Sequence, residues 1–249
     1  MSTNAVAYAD MPKGTVPATV TRHLDAVEFG QLRERLAGDR LECAYLLCCY
    51  LGLRRGEVLG LVWSDIDLMS RQVTIARQLR RTTSAGPDGK TSLVLTRPKT
   101  RSSARTLRLP DCAVDAILKH RSLQQSEWER ADSWSTQPRE GQLVFTTLSR
   151  DGKKGGSPVD VDNFRHRLVQ HAQAAGIGHL SPHGLRHTGV SLLYNDGGVD
   201  MKALSQWAGH AHEHITSSVY VHMSQRKRDE VADRMDAVVA TLPSRLPAP

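Results

Sequence analysis

Apolar residues recur at helical spacing over 25–36, where Val27, Phe29, Leu32 and Leu36 predict an amphipathic helix. The stretch 41–51 is almost wholly apolar, with Leu and Cys predominating and Ala44 among them. A run of that length and composition predicts a helix buried on all sides rather than a strand. Gly52 ends it, Arg54 follows at the turn, and 57–61 reads as a short helix closing at Trp63-Ser64-Asp65. The period then changes. Residues 71–76, 91–96 and 105–109 alternate apolar with polar and predict three strands of one small antiparallel sheet. Ser84-Ala85-Gly86-Pro87-Asp88-Gly89 has turn chemistry between the first two, Lys99 falls between the second and third, and Pro110 stops the third. Helical spacing returns over 111–128, 159–175, 185–195, 200–208 and 225–240, with Asp200 as an N-cap. Residues 150–158, basic and glycine-rich, read as a flexible loop, and 1–20, broken by Pro12, Gly14 and Pro17, as a tail or linker. No repeat of solenoid period interrupts this order. The fold class is α+β, mainly α, with a small antiparallel sheet.

Composition narrows the partners. Hydrophobic residues at 39% and charged residues at 24% are those of a globular chain able to bury a core. Lys and Arg number 33 against 26 Asp and Glu, so the net charge is +7 and the surface favours a polyanion, which releases counterions on binding. Cys43, Cys48 and Cys49 sit in one helical run and Cys112 elsewhere, with no C-x-x-C pair; buried reduced thiols are expected, not disulfides or a zinc site. No apolar stretch approaches the ~18 residues of a membrane span, and the first residues carry no apolar signal core. A cytoplasmic chain with no membrane partner is expected.

Candidate chemistry gathers in two segments. His183-Gly184-Leu185-Arg186-His187, then Gly209-His210 and Tyr220, supply imidazoles, a guanidinium and a phenol; Gly52-Leu53-Arg54-Arg55-Gly56-Glu57 supplies a second guanidinium. Two arginine forks match the non-bridging oxygens of a phosphodiester. A tyrosine oxygen can attack phosphorus while imidazoles hold or move protons. The chemistry that fits is phosphoryl transfer on a nucleic-acid backbone through a covalent phosphotyrosine.

Gly-Leu-Arg-x-x-Glu, then Pro98-Lys99-Thr100, then His-x-Leu-Arg-His, Gly-His and the late Tyr220 occur in an order that resembles the tyrosine recombinases, the phage-integrase family, from about Leu24 to His222. The resemblance implies a tyrosine-recombinase-type catalytic domain over 21–224. Its C-terminal helix and tail, 225–249, would dock on a neighbouring protomer. It implies Tyr220 as nucleophile, Arg54 and Arg186 as the phosphate clamp, and Lys99 as general acid to the departing 5′ oxygen. It further implies that His183 manages the nucleophile's proton and that His210 bonds a phosphate oxygen, with Glu57 and His187 in support. Five basic residues lie from Arg97 to Arg108, so Lys99 also reads as part of a DNA-tracking strand. Arg97, Arg101 and Arg105, with Arg150, Lys153 and Lys154 in the basic loop, are the expected backbone contacts. The implied partner is double-stranded DNA, bound as a homo-tetramer, with no cofactor and no metal; arginines and lysine supply the positive charge.

A metal centre is the competing reading of the histidines, since seven of the eleven lie between His179 and His222. Of the carboxylates, Asp196 and Glu213 lie close to them and no H-E-x-x-H occurs, so the donor set for a hydrolytic metal is incomplete. The chain departs from the family pattern at Gly184 and Ala208, neither a catalytic position. Family members that recombine DNA carry a helical core-binding domain ahead of the catalytic one, where here about twenty residues stand. The expectation is a truncated catalytic domain, or a short member needing a core-binding or directionality partner. The alternatives are a non-catalytic DNA-binding or regulatory relative, and a type IB topoisomerase-like relaxing activity.

Overall fold

The computed structural model describes residues 22–82, 91–97, 104–135, 141–195, 197, 199–200, 203–204, 207 and 225–242. Helix α1 (Ala26–Leu36) starts on a capping box: the Asp25 carboxylate accepts from the Glu28 N–H at 2.8 Å, and Glu28 accepts in return from the Asp25 N–H at 3.3 Å. Its Phe29, Leu32 and Leu36 face inward, whereas Val27 remains exposed. Helix α2 (Glu42–Tyr50) is the central element, and every residue from Cys43 to Tyr50 is buried. Having no polar face, it can only be stable packed on several sides. It meets α3 (Arg55–Leu59), α4 (Asp111–Arg130) and α6 (Pro182–Asn195). Helix α5 (Val161–Ala174) is capped by Asp160, whose carboxylate accepts from the Asp162 and Asn163 N–H groups, and it packs on α1.

The β structure differs from the single sheet expected. Strands β1 (Ile66–Asp67), β2 (Gln72–Ile75) and β5 (Arg105–Arg108) form one antiparallel sheet, with Val73 opposite Leu107 and Ile75 opposite Arg105. Strand β4 (Leu93–Thr96) does not join it. It pairs instead with β3 (Gln78–Arg81) in a separate ribbon that leans on α3 and α5. In β3 only Leu79 is buried, so its apolar alternation is too short to show in the sequence.

The stretch expected as a flexible loop is also ordered. Strand β8 (Lys154–Pro158) lies between β7 (Thr146–Leu148) and β6 (Ser133–Trp134), antiparallel to the first and parallel to the second. The Trp134 ring lies so close to Gly155 that a Cβ there would come within 2.4 Å of it. Its apolar cover therefore comes from a neighbouring strand, and nothing in the strand's own composition announces it.

Helix α7 (Gln225–Thr241) packs on α4, α6 and β5 of its own chain through Val231, Met235 and Val238. Its Asp236 carboxylate accepts from the N–H groups of Asp111 and Cys112 at 2.6 and 2.8 Å. Pro110 stands at the N-cap of α4 and has no side-chain acceptor, so Asp236 supplies that cap from another helix. Asp233 pairs with Arg108 beside it. All four cysteines are free thiols, with Cys43, Cys48 and Cys49 buried, and no helix among the described residues is long and apolar enough to cross a membrane.

Candidate active site

The left-handed backbone of Gly52, at φ +59°, turns the chain out of α2 and sends Leu53 into the core, which brings Arg54 to the N-cap of α3. Glu57, one turn on, accepts from the Arg54 N–H at 3.0 Å and from the Arg54 Nη1 at 2.8 Å. One carboxylate thus fixes both the backbone and the guanidinium of the same arginine. A second guanidinium reaches it: Arg105 on β5 places Nη1 3.3 Å from Oε1 and Nη2 3.1 Å from Oε2. Glu57 is 2% exposed. Burial pushes its carboxyl up, but the charge of Arg105 and the hydrogen bonds from Arg105 and Arg54 outweigh this, and it lies below its ordinary value.

Arg186 comes from α6. Its position depends on the close approach of α6 to α2, where a Cβ at Gly189 would stand 2.1 Å from the Cys49 carbonyl oxygen. The guanidinium, 1% exposed, donates from Nη1 to the Gly52 carbonyl at 2.7 Å. It therefore binds the turn that delivers Arg54, 134 residues earlier in the chain. A cation there also faces the negative end of the α2 dipole. Burial, with the charges of Arg54 and Arg105, lowers Arg186 to about 10, which leaves it charged at neutral pH.

His183, one turn before His187 on α6, is exposed, and its Nε2 lies 3.0 Å from the His187 Nε2. Such a contact needs a proton on one nitrogen and a lone pair on the other, so the two rings cannot both be cations. Partial desolvation of the ring by its neighbours, then the charges of His187, Arg186 and Arg54, lower His183 below its ordinary 6.5, so that it is mostly neutral at pH 7.

The structure thus brings Arg54, Glu57, Arg105 and Arg186 together, with His183 and His187 on the helix that carries Arg186. Arg105 was expected at the DNA backbone; its inward placement had a sequence signal, an arginine in the same alternation as Leu107 and Leu109. Arg97 is exposed at the end of β4, and Arg150, Lys153 and Lys154 are exposed at the β7–β8 hairpin, away from this cluster in sequence. Lys99, Arg101, His210 and Tyr220 lie outside the described residues.

Comparison with known proteins places these residues in context. The profile of the Phage integrase family matches residues 24–227. A tyrosine recombinase XerC-like protein of Caldanaerobacter subterraneus subsp. tengcongensis is 29% identical over 211 residues, covering 84% of this chain and 52% of that protein. The integrase of Staphylococcus phage L54a is 26% identical over 189 residues, covering 76% of this chain and 49% of that protein. The chain therefore spans about half the length of these relatives. Among solved structures, the Tn1549 transposon integrase in complex with transposon right end DNA aligns with a TM-score of 0.58 at 23% identity, over 85% of this chain and 65% of that one. XerA recombinase aligns at 0.56 and 21% identity, over 86% of this chain and 63% of that one. At these identities the structural likeness bears on the fold.

Proposed function

This chain belongs to the phage integrase family, and from that membership and the arginine cluster we propose that it is the catalytic domain of a site-specific DNA recombinase. Its substrate is double-stranded DNA. The observation that carries the reading is the bond from Arg186 to the Gly52 carbonyl, which joins the two arginine motifs of the sequence in one site.

Arg54 and Arg186 hold the non-bridging oxygens of the scissile phosphate. The Tyr220 oxygen attacks phosphorus, its proton passing to neutral His183, while His210 donates to a phosphate oxygen. As the bond to phosphorus forms, the bond to the 5′ oxygen breaks, and the Lys99 ammonium gives that oxygen a proton. The products are a 3′-phosphotyrosine and a free 5′-hydroxyl; a 5′-hydroxyl from a partner strand reverses the step. A phenol with pKa near 10 is ionised in only about one molecule per thousand at neutral pH, so the attack needs a proton acceptor. The phosphotyrosine conserves the energy of the broken ester, so neither ATP nor a metal enters the scheme. Strand exchange needs four protomers on DNA, joined there by a core-binding or directionality partner. Arg97, Arg101, Arg150, Lys153 and Lys154 contact backbone phosphates.

The test is covalent capture. The full chain is incubated with nicked duplexes carrying a randomised core, and adducts are resolved on a denaturing gel and mapped by peptide mass. An adduct at Tyr220 is expected, absent in Tyr220→Phe with duplex binding retained. Binding without any adduct would instead establish the non-catalytic reading.

A further inference from the structure

Arg105 leaves β5 on the buried side of its sheet. It stands opposite Ile75, and Leu107 two residues on stands opposite Val73, all three of these neighbours being buried. Alternation with period two therefore turns the Arg105 side chain inward, and it is 10% exposed. There its fork spans both oxygens of Glu57, the carboxylate that also holds Arg54. An arginine enclosed in this way, with its donors aimed at a carboxylate, is not presented to the outside of a duplex.

We infer, resting on the function proposed above, that Arg105 is a positioning residue for strand cleavage: it neutralises Glu57, so that Arg54 keeps a net positive charge for the scissile phosphate. Three guanidiniums and one carboxylate give this cluster a charge of +2. The phosphodiester carries one negative charge, and the five-coordinate state formed by tyrosine attack carries two. With Arg105 present the cluster matches the transition state; without it, Glu57 cancels Arg54 and the remaining +1 matches only the ground state. Stabilisation confined to the transition state appears in the rate, not in binding. A buried acidic residue, which by itself would oppose phosphate binding, thereby has a purpose: Glu57 fixes Arg54 in place, and Arg105 removes the electrostatic cost of doing so.

Four versions of the full chain test this: wild type, Arg105→Met, Glu57→Gln and the double variant. In single-turnover cleavage of nicked duplex, Arg105→Met is expected to slow by roughly a hundredfold. Its affinity for duplex and its salt dependence stay near wild type, and adding Glu57→Gln restores much of the rate because the amide has no charge to cancel Arg54. A double variant no faster than Arg105→Met overturns the inference. So does a salt slope reduced by about 0.9 in Arg105→Met, which would mark a direct phosphate contact. Binding of inorganic phosphate dianion, followed by phosphorus NMR, needs no catalysis. The expected order is Glu57→Gln tightest, then wild type together with the double variant, then Arg105→Met weakest. Equal affinities overturn the inference. If Arg105→Met does not melt cooperatively, Arg105→Lys replaces it and is expected to bind phosphate like wild type, since the charge remains; a weakening in that variant equal to removal of the charge overturns the inference. A wild-type chain that forms no Tyr220 adduct defeats the proposed function, while the phosphate series still decides the role of Arg105.

Discussion

Arg186 has 1% of its surface exposed, so its guanidinium has given up hydration and keeps its charge only because fixed partners replace water. The Gly52 carbonyl is one such partner. Arg186→Ala is therefore expected to act twice: adduct formation slows by about a hundredfold through weaker charge stabilisation, and thermal stability falls by about 1–3 kcal/mol because a buried carbonyl is left without its donor. Stopped-time adduct assays and melting curves measure the two effects, and a wild-type rate in a folded variant would remove Arg186 from the site. For His183 the sign of the pKa shift decides the pH dependence. Because it is lowered, the neutral ring that accepts the phenol proton persists below 6.5, and protonation removes that acceptor only in more acidic solution. The pH–rate profile for adduct formation should fall on acidification with its midpoint below 6.5. A fall centred above 6.5 would show that another group governs the step.

Helices here depend on each other for their ends. Helix α4 begins at Asp111 after a proline with no capping side chain, and the two N–H groups of Asp111 and Cys112 are answered from α7 by Asp236. Asp236→Ala should cost about 1 kcal/mol, the usual worth of an N-cap. Denaturant unfolding would measure it, and an unchanged midpoint would mean that water replaces the carboxylate at no cost. Since α7 also packs on α6 and β5, the substitution should loosen α7 rather than α4 alone. Hydrogen exchange in α7 faster than in wild type would report this.

Across the whole molecule the positive charge is divided by depth. Arg105 and Arg186 are enclosed beside Glu57 and the Gly52 turn, with Arg54 partly exposed at their edge, whereas Arg150, Lys153 and Lys154 stand exposed on the β7–β8 hairpin. That hairpin is a fixed turn, its Asp151 carboxylate accepting from the Ser149 hydroxyl at 2.5 Å and the Lys153 N–H at 3.1 Å. The three cations therefore leave the backbone from one place on the surface. Replacing all three by alanine should lower the slope of log affinity against log salt by roughly 0.9 for each phosphate no longer neutralised. Titration of a labelled duplex at several salt concentrations measures the slope. If the slope does not change, the hairpin lies off the duplex.

The sequence by itself determined the elements whose signal is local. Helix α2 announces itself by a run with no polar face and α1 by its spacing; the arginine and histidine motifs announce the chemistry through residue type and order. Partner choice between strands was not local: β4 reads as a neighbour of β2 but pairs with β3, because ladder pairing is decided by which backbones meet in space. Strand β8 was hidden by glycines whose apolar cover is a tryptophan from β6. Arg105 lies between these cases. Its alternation with Leu107 and Leu109 marks it as inward-facing, but only the folded chain brings it to Glu57, 48 residues away. An inward charge has to find a counterion somewhere, and which one it finds is fixed by tertiary packing, since that alone sets the distances over which charges act.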